Sequence, residues 1–212
     1  MRSLIAAIIL ALMPLPAAAQ MASALPPVSG PIEPKVAPRQ ADDGLYHQTW
    51  EVTSFLNLRE DFADAKAQGK RFAVFFEQRG CVYCTKMHKE VLAQRYINEY
   101  VRDNFAVVQL DIFGAREVTD FDGSKMSEAK LAERWGVMFT PTVVFLKDEL
   151  PTDAKAYGAP LEVTRMSLGF GAATFYDLFV WIRSKVYEQD RNFQRFHVAR
   201  MGERGKSGIA FD

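Results

Sequence analysis

An α/β fold, a three-layer sandwich with helices on both faces of a central mixed sheet, is predicted by three features of this sequence. Segments of strand character alternate with segments of helical period along the chain. Two of the strands, Arg71–Phe76 and Phe105–Ile112, are almost continuously apolar, as strands buried on both faces are. The last elements, two strands in succession and then a helix, add antiparallel pairing to a sheet that a right-handed crossover begins with two strands side by side. A chain of 212 residues can bury one substantial core and is short for two.

Residues 1–19 read as a signal peptide. Arg2 supplies the positive start, Leu4 to Met13 an apolar run too short to span a membrane, Pro14 and Pro16 a break, and Ala17-Ala18-Ala19 a cleavage site before Gln20. An uncleaved anchor is the alternative, but the prolines and alanines fit processing better. No cysteine ends the run, which excludes lipid attachment there. The mature chain, with one net negative charge once Arg2 is gone, is expected in a bacterial periplasm. Residues 20–44, with prolines at 26, 27, 31, 34 and 38, read as a disordered linker.

The ordered domain is expected over 45–188. Ser54 to Gly69 has helical period, with Leu58, Phe62 and Ala65 inward, Asp61 and Lys66 outward, and Gly69 placed to end it. The first buried strand follows, then a helix from Cys81 to about Ala93 with Met87 and Val91 toward the core, and a further turn around Tyr96–Arg102. After the second buried strand, 113–125 reads as a loop. Ser127 caps a helix reaching Trp135, a core residue, and Gly136 stops it. Val143–Leu146 is a strand directly after Thr140-Pro141, 147–160 a polar loop, Thr164–Phe170 an edge strand, and Ala172–Tyr187 an amphipathic helix. Residues 189–212 form a basic tail with a short helix near Phe193–Met201 and a frayed end. Its arginines read as a solvated face, with docking to an acidic partner as the alternative.

Cys81 and Cys84 are the only cysteines, and they sit where the first buried strand passes through Gly80 into a helix. Unpaired N–H groups at a helix start favour the thiolate of the first cysteine. The second, one turn on, is near enough to close a ring. So short a loop constrains the unfolded chain little, which argues against a purely structural bridge and for a thiol–disulfide centre. In an oxidising compartment such a pair needs an electron donor to stay reduced. A metal site is the other reading, since Cys81, Cys84 and His88 have C-x2-C-x3-H spacing, and Met87 adds a soft ligand for copper. His88 reads rather as a helix-surface residue, and the remaining histidines, His47 and His197, are far off in sequence.

The element order, with Cys81-Val82-Tyr83-Cys84 after the first central strand and Thr140-Pro141 before a later one, resembles the thioredoxin fold over about Leu45 to Glu188. The loop from Asp111 to Gly123, followed by a helix and Phe139-Thr-Pro-Thr142, is similar to the SoxW-type periplasmic thioredoxins of sulfur-oxidising bacteria. The resemblance implies Cys81 as nucleophile and Cys84 as resolving thiol. It implies a cis Pro141 lying against them, and a substrate groove formed by Gly80, Val82, Tyr83, Thr140 and Pro141. It implies disulfide-bearing periplasmic clients, a sulfur-carrier protein among them, and a membrane thiol transporter as electron donor. Three positions depart from it. Gly80 stands where an aromatic residue usually precedes the first cysteine, Val82-Tyr83 replaces the usual Gly-Pro, and Phe75 occupies the place of a buried proton-relaying acid. Glu77 and Asp111 are the candidates for that acid's role. The potential is open between about −270 mV for a reductant and about −120 mV for an oxidant.

Lys plus Arg and Asp plus Glu are 26 each, so no overall field points to nucleic acid. Phosphate loops, paired catalytic carboxylates and nucleophile elbows are not found, and no histidine follows Cys84 to make a haem-attachment motif. No cofactor or bound metal is expected. The sequence therefore points to an exported thiol–disulfide oxidoreductase acting as a reductase. A disulfide oxidase or isomerase, and a metallochaperone that uses the two cysteines as ligands, are the alternatives.

Overall fold

The sheet is built from the two buried strands the apolar runs predict and from two more that follow them. In the computed structural model, which describes residues 25–150 and 156–208, β1 (Arg39–Gln40) pairs with β2 (Tyr46–His47), and α1 spans Leu58–Ala67. Then come β3 (Arg71–Glu77), α2 (Val82–Lys86) continuing into a π-helical turn (Met87–Val91), α3 (Arg95–Asn104), β4 (Phe105–Asp111), β5 (Glu117–Thr119), β6 (Lys125–Ser127), α4 (Glu128–Arg134) and β7 (Thr142–Leu146). A 3-10 turn (Ala159–Leu161), β8 (Glu162–Ser167), α5 (Ala172–Arg183), α6 (Val186–Gln189) and α7 (Phe193–Lys206) complete the chain. The signal peptide expected at 1–19 lies outside the described residues.

The main sheet has the order β4-β3-β7-β8, with β4 parallel to β3 and both other pairs antiparallel. Alternation along β3 divides the core in two. Ala73 and Phe75 face the π-turn, α3 and α5 through Met87, Ile97, Val101 and Phe179. Phe72, Val74 and Phe76 face α1 and α4 through Leu58, Ala65, Leu131 and Trp135. The aromatic content is spent here: Phe75, Phe105 and Phe145 meet Phe179 edge-on at 4.7–6.4 Å between centroids. Ser127 Oγ caps α4 by accepting the Lys130 N–H, and Gly69 and Gly136 take the positive φ that ends α1 and α4.

Four sequence expectations give way. The segment read as a loop after β4 holds the β5–β6 hairpin, too short to show a period of two. Asp61, expected outward on α1, is buried and accepts the Ser54 hydroxyl at 2.6 Å. The described part of the Pro-rich segment, 25–44, is bonded to the domain rather than disordered. Val36 donates its N–H to Ala93 O, and the carbonyls of Pro26 and Pro27 accept from Arg200. Prolines that pre-set φ lower the entropy lost in laying such a strap down. The basic tail forms the helix α7, in which Arg195 and Lys206 are solvated as expected while two other arginines are not. Arg200 and Arg204 are buried against Asp177, a fully buried acid on α5 that also accepts from His197 Nδ1 at 2.8 Å. Two guanidiniums and an imidazole satisfy that carboxylate, which an apolar helix face cannot.

Asp177→Asn should therefore cost about 3–5 kcal/mol, because two buried cations lose their partner. Hydrogen exchange should show α7 and the strap released while β3 and β4 stay protected. The hairpin entrance holds a pH-dependent clasp, where His47 bridges Glu51 and Asp43 at 2.9 Å each. The Glu51 hydrogen bond, with help from Asp43 and against partial burial, raises the His47 pKa above 6.5. A raised folded value means the clasp stabilises fully below pH 6.5 and is lost as pH climbs through that value. Denaturant titrations should show the stability gap between wild type and His47→Gln widest in acid and closing above neutrality.

Candidate active site

The register of β3 against β7 sets the site. Phe76 pairs with Thr142, so the turn leaving β3 and the residues entering β7 arrive at the same edge. Gly80 makes that turn at φ +74°, and space is not the reason for glycine, since nothing lies within 4 Å of where a Cβ would be. An aromatic residue at this position would have to adopt left-handed backbone, which accounts for the departure from the thioredoxin pattern. Cys81 then caps α2, its Sγ accepting the Cys84 N–H at 3.0 Å. From β7's entrance the Thr140 hydroxyl donates to the same sulfur at 3.4 Å. The Thr140–Pro141 peptide is cis. Pro141 precedes the strand by one residue, so the central ladder loses no donor.

The two cysteines are joined by a disulfide across a Cα separation of 5.2 Å. Cys81 is 7% exposed and Cys84 3%, so the first is the one nearer solvent. Beside them runs a groove of about 580 Å³ whose lining includes Tyr83, Pro141, Met87, Val91 and Phe170, with Lys35 and Lys86 on its rim. Tyr83 is half-exposed on the groove wall, with Gly169 packed so closely that a Cβ there would meet the ring at 2.6 Å. Val82 is exposed and stands outside that lining, as do Gly80 and Thr140. Lys35 comes from the strap, so the segment before the domain helps shape the groove.

On the inner side a cavity of about 110 Å³ is lined by Cys81, Cys84, Glu77, Gly80 and the 40–46 hairpin. Glu77 is buried; its Oε1 accepts from His88 Nε2 at 2.8 Å and Gln109 Nε2 at 2.9 Å, while Oε2 has no protein partner. Asp111, its register neighbour on β4, does not reach the cavity and instead accepts the Phe113 N–H. Of the two candidate acids, only Glu77 is brought to the cysteines.

His88 corrects the sequence reading twice. It is fully buried, not on the helix surface, because with Cys84, Met87 and Val91 it falls at the i, i+3, i+4, i+7 spacing of the face turned to the core. Both ring nitrogens are engaged, Nε2 by Glu77 and Nδ1 by Gln48, so it is not free to join Cys81 and Cys84 as a ligand. Among the described residues no group of three or more His, Cys, Asp or Glu is placed to hold a metal ion. Gln48, Asn98 and Gln109 were not singled out from the sequence. The available signal was periodicity: Glu77 and Gln109 fall on the faces of β3 and β4 that Phe75 and Val107 bury, where a polar residue must have a partner.

With this geometry in place, residues 58–153 match the family model of a thioredoxin-like domain. The chain has a thioredoxin-like fold. A thioredoxin-fold protein from Helicobacter pylori superposes with a TM-score of 0.52 at 19% identity, covering 65% of this chain and 86% of that one. A thioredoxin from Thermus thermophilus gives 0.43 at 27% identity, over 58% of this chain and 81% of that one. A DsbH oxidoreductase gives 0.43 at 18%, over 70% and 92%. No curated protein matches the sequence. The matched stretch contains the Cys81–Cys84 pair.

Two donors converge on Cys81 Sγ, and one is a removable side chain. Thr140→Val keeps the shape and deletes the O–H. Alkylation of the reduced protein at neutral pH should slow about tenfold, the low end of what a hydrogen bond to a charged group contributes. An unchanged rate would show that the hydroxyl does not act on the thiolate.

Proposed function

We propose that this protein is an exported, SoxW-like thioredoxin that reduces disulfides in periplasmic partner proteins. The observation that carries the reading is Cys81 Sγ, held between the Cys84 N–H and the Thr140 hydroxyl, with a groove lined by Tyr83 and Pro141 beside it. An extended client segment lies in that groove across Tyr83 and Pro141. The Cys81 thiolate attacks one sulfur of the client disulfide, and the departing client thiolate takes the electron pair and a proton. Cys84 then gives its proton to Glu77 across the shared cavity, which is larger than the roughly 30 Å³ share of one water and can pass the proton through a bridging molecule. The Cys84 thiolate attacks Cys81 Sγ, the second client sulfur leaves as a thiolate that takes the electron pair and then a proton from solvent, and the Cys81–Cys84 disulfide forms. The client has gained two electrons and the enzyme has lost two.

A membrane thiol transporter resets the pair, and a sulfur-carrier protein of thiosulfate oxidation is a client that the SoxW resemblance implies. The reductase direction is supported by the reasoning that a dithiol in an oxidising compartment needs a dedicated donor. A Cys84→Ser variant, unable to complete the second attack, should accumulate mixed disulfides with periplasmic proteins that Cys81→Ser does not. Equilibration against glutathione buffers should place the potential near about −270 mV, whereas a value near about −120 mV would assign an oxidant.

A further inference from the structure

A chain of buried side chains behind the disulfide is unused by the thiol chemistry itself, and its direction is determined. The Trp50 indole N–H can only donate, and it meets Asn98 Oδ1 at 3.0 Å. The Asn98 amide nitrogen therefore faces Leu92 O at 2.8 Å and Gln48 Oε1 at 2.9 Å. That leaves the Gln48 amide nitrogen to donate to His88 Nδ1 at 3.1 Å. Nδ1 is thus an acceptor without a proton, and Nε2–H is the donor to Glu77 Oε1 at 2.8 Å. Gln109 Nε2 also donates to that oxygen, at 2.9 Å. Oε2 is left as the carboxylate oxygen without a protein partner, in a residue that lines the cavity with Cys84.

We propose that His88 is a positioning residue of the redox centre. Locked as the neutral Nε2–H tautomer by the Trp50–Asn98–Gln48 chain, it ties down one oxygen of Glu77 so that the other receives the Cys84 proton. The assignment rests on the oxidoreductase reading and goes beyond it, because it makes residues of the 45–50 segment, outside the cavity apart from its first two, part of the thiol chemistry. An Nδ1–H would point at the Gln48 amide hydrogens, so the chain as built places the ring proton at Nε2, facing Glu77.

The other titratable and charged groups around the pair are Cys81 and Cys84 across the cavity and Tyr46, whose ring lies 6.5 Å from that of His88. Lys89 sits over Tyr46, Asp111 is beside Glu77 in register, and Arg116 donates to the Gln109 carbonyl. His47 on the same segment is turned to Asp43 and Glu51. None of these donates to Glu77 Oε1, so Gln109 is left as the remaining donor when His88 is replaced.

Mixing the reduced protein with a chromogenic aromatic disulfide in stopped flow tests this. The first aryl thiolate reports attack by Cys81, and the second reports attack by Cys84 on the mixed disulfide. The dithiol loses two electrons, the aryl disulfide gains them, and the Cys84 proton passes through Glu77 to solvent. A buried carboxylate stripped of one donor keeps its proton to higher pH. In His88→Leu the pH midpoint of the second phase should rise by about one unit, with the first phase unmoved, and Trp50→Phe should shift it the same way by less. His88→Gln, which can donate to Glu77 and accept from Gln48, should restore the wild-type midpoint. A midpoint that stays put in both His88→Leu and Trp50→Phe overturns the assignment. So does a rate lowered equally at every pH, which is what a merely structural role would give. If His88→Leu does not fold, imidazole nitrogen NMR of the wild type decides. A neutral ring protonated at Nε2 across neutral pH supports the proposal, and the Nδ1–H tautomer or a charged ring overturns it. Failure of the wild type to release a second aryl thiolate would instead remove the oxidoreductase reading.

Discussion

The antiparallel register of β3 on β7 is the constraint from which the active site follows. Because Phe76 opposes Thr142, the chain leaving β3 at Gly80 and the chain entering β7 at Pro141 are neighbours, and the Thr140 hydroxyl lands on Cys81 Sγ. A slip of one residue would turn Val143 and Phe145 from one core half to the other, where Val144 and Leu146 already pack. The two apolar clusters on opposite faces of the sheet thus hold the register, and the register holds the sulfur between its donors. Packing and chemistry are linked through hydrogen bonds that no local sequence pattern encodes.

Around this frame, segments outside the α/β repeat serve the site as well. The strap at 25–44 supplies Lys35 to the groove and its hairpin walls the inner cavity, and Asp177 fastens α7 under the carbonyls of Pro26 and Pro27. Buried charge in both places is paired. Asp177 meets two guanidiniums, and Glu77 meets two N–H donors on one oxygen. The difference between them is instructive. Asp177 is satisfied on both oxygens and acts as a clasp, whereas Glu77 keeps one oxygen uncommitted in the cavity it shares with the disulfide, the oxygen the proposed proton transfer would use.

Much of the fold was legible because its signals are local. Continuous apolar runs marked β3 and β4, glycines and Ser127 marked helix ends, and the cysteine pair at a strand–helix junction marked the chemistry. What was missed depends on partners distant in sequence. Arg200 and Arg204 of α7 look like a solvated face until Asp177 is placed beneath them, and Asp177 itself sits in an otherwise apolar helix. His88 looks like a surface residue because it is polar, although it shares a helix face with Cys84, Met87 and Val91, and the partners that satisfy it, Gln48 and Glu77, lie elsewhere in the sequence. The strap's prolines read as disorder by composition, while its order comes from bonds to Ala93 and Arg200. Pro141 was legible through a resemblance and Gly80 as a departure from it, and the physical reasons for them, a position just ahead of the ladder and a positive φ, came only with the backbone.

With a backbone amide and a hydroxyl aimed at its sulfur, Cys81 should be an anion at neutral pH once the disulfide is reduced. Ultraviolet thiolate absorbance of the reduced protein, titrated against Cys81→Ser as the blank, decides this. The prediction is a Cys81-dependent thiolate signal whose midpoint lies below the roughly 8.5 of a free cysteine. A midpoint at or above that value would contradict it.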